Sequence, residues 1–426
     1  MRKVLLYSVL LVIGMVFSQV LAGTGATLIG LLSMFALSFL MIHVGYEFEI
    51  DKSRPKQYAW DYVVAATAAA FPWVFCALYF IFVMAPPAMW SSIDLWKENL
   101  LTARFASPTS AGVLFSMLAA AGLAATWVFQ KARVLAIFDD LDTILFMIPL
   151  KMLLVGPKWQ LVVVVLFITV LLWLAWRYLH ELKLPIAYPY VMGYAAAITL
   201  FCFGVHAVSE MVDRTVPIHF EVLLPAFVLG CTIARPKGVD VHADDAIEGQ
   251  EQGPDEPTEQ LVSTIMSASF MVLVGLSMPP IQMVPDAATG YQYANVPAEL
   301  VAQKMAFPGW GMIAVHVLFI TLLSNLGKVF PFFCYRQEAT LRERIALCFG
   351  MFPRGEVGGG VLVISIAYGI GGPALTVASL SLALNLLCTG LFILVVKRLL
   401  AAPAPVPGTL LADGGALEIR GSAAGS

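Results

Sequence analysis

Residues 136–145 read Ala136-Ile-Phe-Asp-Asp-Leu-Asp-Thr-Ile-Leu145, with three aspartates inside an apolar run that extends from 133 to 155. A run of that length is enough to cross a bilayer as a helix, which needs about 20 residues. A charge in hydrocarbon costs about 2.5–3.5 kcal/mol even on the lenient insertion scale, so it marks function unless the helix end lies in water. Neighbouring positions on a helix differ by about 100°, so Asp139 and Asp140 face different surroundings. One can address a cation while the other faces a neighbouring helix. Two close carboxylates repel when both are charged, which favours holding a proton or a cation between them. The pair therefore suits alternate binding of protons and a metal cation. Asp142 adds a third carboxylate.

The rest of the chain has the same apolar character. Of its 426 residues 60% are hydrophobic and 12% charged, with a mean hydropathy of +0.84. Soluble domains run near 45–50% apolar and about 25% charged. That difference excludes a soluble enzyme or a nucleic-acid binder. Apolar stretches fall at 4–22, 25–48, 58–84, 97–121, 133–155, 159–179, 186–210, 217–234, 260–280, 308–334, 342–369 and 373–399. Twelve spans of about 20 residues would use about 240 positions. Their continuous apolar character predicts helices in lipid, since barrel strands would alternate. The first span could instead be a cleaved signal sequence ending near Ala22. The fold class expected is an all-α polytopic membrane protein of about 12 transmembrane helices. The six cysteines, at 76, 202, 231, 334, 348 and 388, form no CxxC pair and read as small core residues.

Loop charges set an expected orientation. With the N-terminus inside, sixteen Lys and Arg residues fall on the cytoplasmic side, including Lys52, Arg54, Lys131, Arg133, Arg235 and Arg336. Only Lys97, Lys158, Arg214 and Lys304 fall on the other. This is the bias of the positive-inside rule, and it predicts that both termini are cytoplasmic. The acidic stretch 238–259 reads as a flexible cytoplasmic loop, and the Pro/Gly/Ala-rich tail 400–426 as disordered.

Further charges and breaks lie inside the spans. Lys328, in Leu323-Ser-Asn-Leu-Gly-Lys-Val-Phe-Pro331, needs an acidic partner in the membrane unless it snorkels to the surface, and the aspartate pair is the natural candidate. Arg104-Phe-Ala-Ser-Pro-Thr-Ser-Ala-Gly112 interrupts the fourth span and Met351-Phe-Pro-Arg-Gly-Glu-Val-Gly-Gly-Gly360 the eleventh. Pro108 and Pro353 each lack an amide donor, and the glycines permit non-helical backbone. Matching breaks in two halves are the sign of an inverted-repeat transporter with a midplane ion site, ordinary proline kinks being the alternative. Arg354 and Glu356 would then pair with each other, or Arg354 with Asp142. His43, His206 and His316 lack metal-ligand spacing and read as interior hydrogen-bonding residues. Gly327-Lys328 lacks the glycine and Ser/Thr of a phosphate loop.

Together these residues resemble the monovalent cation/proton antiporter superfamily, in particular its sodium/proton exchangers with an aspartate pair. The resemblance runs from about Phe39 to Val396. It rests on Gly45-Tyr-Glu-Phe-Glu-Ile-Asp51, Ser107-Pro-Thr-Ser-Ala-Gly-Val113, Asp139-Asp140, Val274-Gly-Leu-Ser277, Gly327-Lys328 and Pro353-Arg-Gly-Glu-Val357, in that order. Asp142 and Lys151 depart from the family pattern.

The resemblance implies inverted repeats with two broken crossing helices and a division of the chain. Residues 58–155 (spans 3 to 5) and 308–399 (spans 10 to 12) would form an ion-carrying core. Residues 1–57, 156–237 and 260–307 (spans 1–2, 6–8 and 9 with an outer loop) would form a scaffold that dimerises. By resemblance Asp140 is the principal carrier of cation and proton, and Asp139 pairs with Lys328 and releases it during the cycle. Thr109 and Ser110 supply neutral ligand oxygens, so Asp140, Asp139 and Thr109 would hold the transported Na+. Arg354 and Glu356, with Asp142, make up a core charge network at the half-helix ends. The implied function is electrogenic exchange of Na+ (or Li+) for H+ by a homodimer in membrane lipid, in a bacterial inner membrane. No cofactor, nucleic-acid partner or enzymatic reaction is implied. K+/H+ exchange on the same fold, an organic-anion symporter and a channel are the other readings, though nothing resembling a selectivity filter appears.

Overall fold

The structure of the protein, a computed structural model, describes residues 2–20, 25–48, 55–156, 158–213, 218, 220–234, 257–278 and 293–401. Helices α1 (Arg2–Val20), α2 (Ala26–Glu47) and α3 (Pro55–Tyr79) come first, α3 continuing into a π-helical turn at Phe80–Met84. The fourth stretch is α4 (Ile93–Ala103), a 3-10 turn at Arg104–Ala106 and α5 (Ala111–Ala120). The aspartates lie on α6 (Trp127–Val155), followed by α7 (Trp159–Arg177), α8 (Tyr188–Val212), α9 (Leu223–Thr232) and α10 (Pro257–Leu276). Then come α11 (Ala298–Met305), α12 (Trp310–Gly327), α13 (Pro331–Cys334), α14 (Leu341–Gly350), α15 (Glu356–Ala367) and α16 (Pro373–Ala401). Apart from an isolated bridge between Leu182 and Ile233, the described residues hold no strand.

Each apolar stretch read from the sequence contains helix, and among the described residues seven helical segments are long and apolar enough to cross a membrane. Helices α9, α4–α5 and α14–α15 are short or broken, while α6 is long and continuous but carries the buried charges. Large apolar side chains such as Leu5, Val162, Leu166, Leu200, Met211, Leu318 and Leu322 point outward, as lipid requires. Trp159 and Trp310 begin their helices largely exposed, in the manner of interfacial anchors.

Packing separates the helices into two groups. Helix α3 packs on α6 and α12, and α16 on α12 and α14. In the other group α1 packs on α10, and α2 on α8, α9 and α10. The half-helix α5 packs on α6 of the first group and also touches α1, α2 and α10 of the second, so the first break lies between the two. Gly327 lets α12 approach α3 closely, because a Cβ there would run into the Pro72 backbone. This contact fixes where the chain leaves α12, at Lys328.

Three readings change. The outer loop within 260–307 contains α11, whose Lys304 is buried and paired with Glu98 of α4 at 2.5 Å. Lys131 and Arg133, counted as loop charges, are buried in the first turns of α6. Lys131 bridges Asp61 (3.1 Å) and Glu338 (3.0 Å) and sits over the Tyr335 ring. Partners so distant in sequence are brought together only by the packing. The eighth stretch yields only ten helical residues, and Ile218 ahead of them donates from its amide to Ser209 Oγ at the end of α8. The loop 238–259 up to 256, the tail from 402, and Lys52, Arg54, Arg214, Arg235 and Lys237 lie outside the described residues.

Candidate functional site

The two breaks meet. Ser110 N donates to Pro353 O (2.9 Å), and Thr109 Oγ1 donates to Met351 O (3.1 Å). Helices α4 and α14 end at this crossing, and α5 and α15 begin there. It therefore gathers partial negative charge at two C-terminal ends and partial positive charge at two N-terminal ends. Ser110 caps α5 through its hydroxyl, which accepts from Val113 N. Gly355 stands opposite, where a Cβ would strike the Ser110 hydroxyl.

Arg354 answers the negative ends. Its Nε donates to Ala106 O (2.8 Å), Nη1 to Phe352 O (3.0 Å) and Asn325 Oδ1 (2.7 Å), and Nη2 to Ser324 O (2.6 Å). Four neutral acceptors thus surround the guanidinium, and none of these bonds goes to Asp142. A guanidinium offers five donors in a rigid fork, so carbonyls freed by the breaks satisfy it. Glu356 opens α15, and its side chain lies outside what the structure describes.

Asp139 faces the other pole. Its Oδ2 accepts from Thr109 N (2.7 Å), just ahead of α5, and from Lys328 Nζ (2.7 Å). A carboxylate is stabilised at a helix N-terminus by the exposed amides and the dipole. Lys328 has no exposed surface, so it does not snorkel. It is placed inward because Pro331 ends α12 early and the chain turns at 328–330. Asp140, about 100° around α6, instead lines a small cavity between α6, α15 and the residues around the start of α9. Thr143 lines the same cavity, and its hydroxyl donates to Asp139 O (2.9 Å). Asp142 is buried near Tyr62.

Arg104 carries a role that sequence reasoning did not assign to it. It is fully buried, donating to Ser107 Oγ (2.5 Å) and Asp142 O (2.9 Å) between the rings of Trp73 (4.9 Å) and Phe146 (5.2 Å). Its position at the edge of the first break was the available signal. Thr143, Ser324 and Asn325 carried none, being ordinary residues until the packing places them. Among the described side chains around the crossing, three cations (Arg104, Lys328, Arg354) therefore face three carboxylates (Asp139, Asp140, Asp142), all nearly or fully buried. His43 and His316 take interior hydrogen bonds, to Phe39 O (3.1 Å) and Tyr79 OH (2.9 Å).

A family model described as "Sodium/hydrogen exchanger, transmembrane" matches residues 3–402. The chain belongs to this family. Its members are cation/proton antiporters, and this exchanger is accordingly an integral membrane protein. Among solved structures, it resembles the sodium proton antiporter MjNhaP1 from Methanocaldococcus jannaschii at 11% identity, covering 92% of each chain with a TM-score of 0.50. At that identity the likeness shows the fold, with its long apolar helices and broken segments. No curated protein matches the exchanger.

Proposed function

We propose that the exchanger moves Na+ (or Li+) against H+ by alternating access, with Asp140 as carrier and the Lys328–Asp139 pair as its coupling element. The observation that supports this reading is that buried pair, held at 2.7 Å beside the crossing. In the proton-loaded state Asp140 is protonated and Lys328 is an ammonium on Asp139. A cation arriving at Asp140 attracts Asp139 as a second carboxylate ligand, and Thr109 and Ser110 line the approach. Carboxylate and hydroxyl oxygens suit a hard cation. Deprived of its partner in a low-dielectric core, Lys328 gives up its proton. Two protons then leave for one Na+.

The charge count supports electrogenic exchange. With Asp140 protonated, the three buried cations outweigh the two remaining carboxylates by one charge. With Na+ bound and Lys328 neutral, the positive and negative charges balance. The two forms that cross differ by one charge, so membrane potential drives the cycle. Residues 58–155 and 308–399 are taken as the moving core. The remaining spans form a scaffold through which a homodimer assembles in a cell membrane, with both termini cytoplasmic.

The test is reconstitution in proteoliposomes with an imposed pH gradient and a pH-sensitive dye. Added Na+ or Li+ should collapse the gradient. A response to K+ alone would favour K+/H+ exchange, the alternative on the same fold. Flux driven by an organic anion, or no cation-dependent proton movement, would sink the antiporter reading.

A further inference from the structure

The cavity beside Asp140 has two different walls. Asp140 and Thr143 of α6 and Val357 of α15 form one. Leu223 and Leu224 of α9, with Glu221 just before it, form the other. Glu221 is the acidic residue on a wall otherwise lined by Leu223 and Leu224. It precedes the first turn of α9, whose N-terminal amides favour an anion. That explains how the charge is tolerated. It does not explain why it lines the cavity that holds the carrier aspartate.

The position of Glu221 relative to the membrane faces follows from its neighbours. Ile218 N donates to Ser209 Oγ (2.8 Å) in the last turn of α8, and Asp213 beyond that helix pairs with Lys158 (3.1 Å) ahead of α7. Glu221 thus lies between Asp140 and the face where α6 ends and α7 begins. Lys151, in the last two turns of α6, interacts electrostatically with it. A cation near Glu221 would compete with an arriving ion for the same carboxylate.

We propose that Glu221 is a second cation subsite, on the scaffold wall, where a hard monovalent cation pauses between the 156–158 face and Asp140. This rests on the sodium/proton reading above. Carboxylate and Thr143 hydroxyl would replace water around the ion in steps. The wall that carries Glu221 stays in place while the Asp140 wall moves.

The experiment is Na+-dependent proton flux in proteoliposomes for wild type, Glu221→Gln, Glu221→Asp and Lys151→Gln. Removing the charge of the subsite should raise the half-saturating Na+ concentration of Glu221→Gln roughly ten-fold, with the maximal rate little changed. Glu221→Asp should stay within about two-fold of wild type, because the charge is kept. Lys151→Gln should lower the half-saturating concentration, since the competing ammonium is gone; it also stands as the test if Glu221→Gln does not fold. Wild-type kinetics in a folded Glu221→Gln, or an unchanged or raised value in Lys151→Gln, would overturn the subsite. Absence of any exchange by wild type would instead remove the function on which it rests.

Discussion

Lys328 Nζ lies 2.7 Å from Asp139 Oδ2, and neither residue has any exposed surface. Desolvating two charges costs several kcal/mol per ion, and their attraction offsets this only with close geometry and further hydrogen bonds. Asp139 obtains such a bond from Thr109 N, while its Oδ1 accepts none from the described residues. Displacing the ammonium from this carboxylate is the step that the coupling scheme requires.

Lys328→Gln is expected to slow exchange and remove its sensitivity to membrane potential. One charge per cycle corresponds to about 2.3 kcal/mol per 100 mV, so flux under imposed potentials resolves the effect. Voltage-indifferent wild-type exchange together with a fully active Lys328→Gln would refute the coupling scheme.

Asp140→Asn should abolish exchange while leaving the protein folded and inserted. Asparagine keeps the shape but can hold neither a proton for transfer nor a full negative charge for the cation. Monodisperse, thermally stable Asp140→Asn that still exchanges Na+ for H+ would take Asp140 out of the carrier role.

Replacing Thr109 and Ser110 together by alanine should raise the half-saturating cation concentration more than it lowers the maximal rate. It removes hydroxyl oxygens but no titratable proton. The Thr109 bond to Met351 O and the Ser110 cap are also lost, at about 1 kcal/mol each. Cation titrations with an unchanged midpoint would mean that the two hydroxyls only stitch the crossing.

Arg354→Lys should lower thermal stability more than Lys328→Gln does. An ammonium cannot reproduce the fork that joins Ala106 O, Phe352 O, Ser324 O and Asn325, and buried bonds to a charged donor contribute about 1.5–3 kcal/mol each. Thermal unfolding in detergent compares the variants directly. A wild-type melting temperature for Arg354→Lys would show that the fork does not hold the crossing.

The helical stretches, the two breaks and the candidate partnership of Lys328 with the aspartates could be read without coordinates. Each is a local signal: apolar length, a missing amide donor at Pro108 or Pro353, a charge with no water nearby. Arg354 shows where such reading stops. A buried cation calls for compensation, and the carbonyls of Ala106, Phe352 and Ser324 that accept from it here have no signature in a sequence.

Composition and charge placement alone thus determine that the chain is a helical membrane protein with ionisable groups in its interior, because hydrocarbon leaves the backbone few alternatives. Tertiary structure alone decides which groups meet. It turns Asp139 toward Thr109 and Lys328 while Asp140, one residue on, lines a cavity; it buries Lys131 with Asp61 and Glu338, and Lys304 with Glu98. It also sets Glu221 across from Asp140 although 81 residues separate them. Lipid solvation acts on each stretch separately and is therefore legible in it. Contacts between stretches depend on how their surfaces fit, and no single segment contains that information.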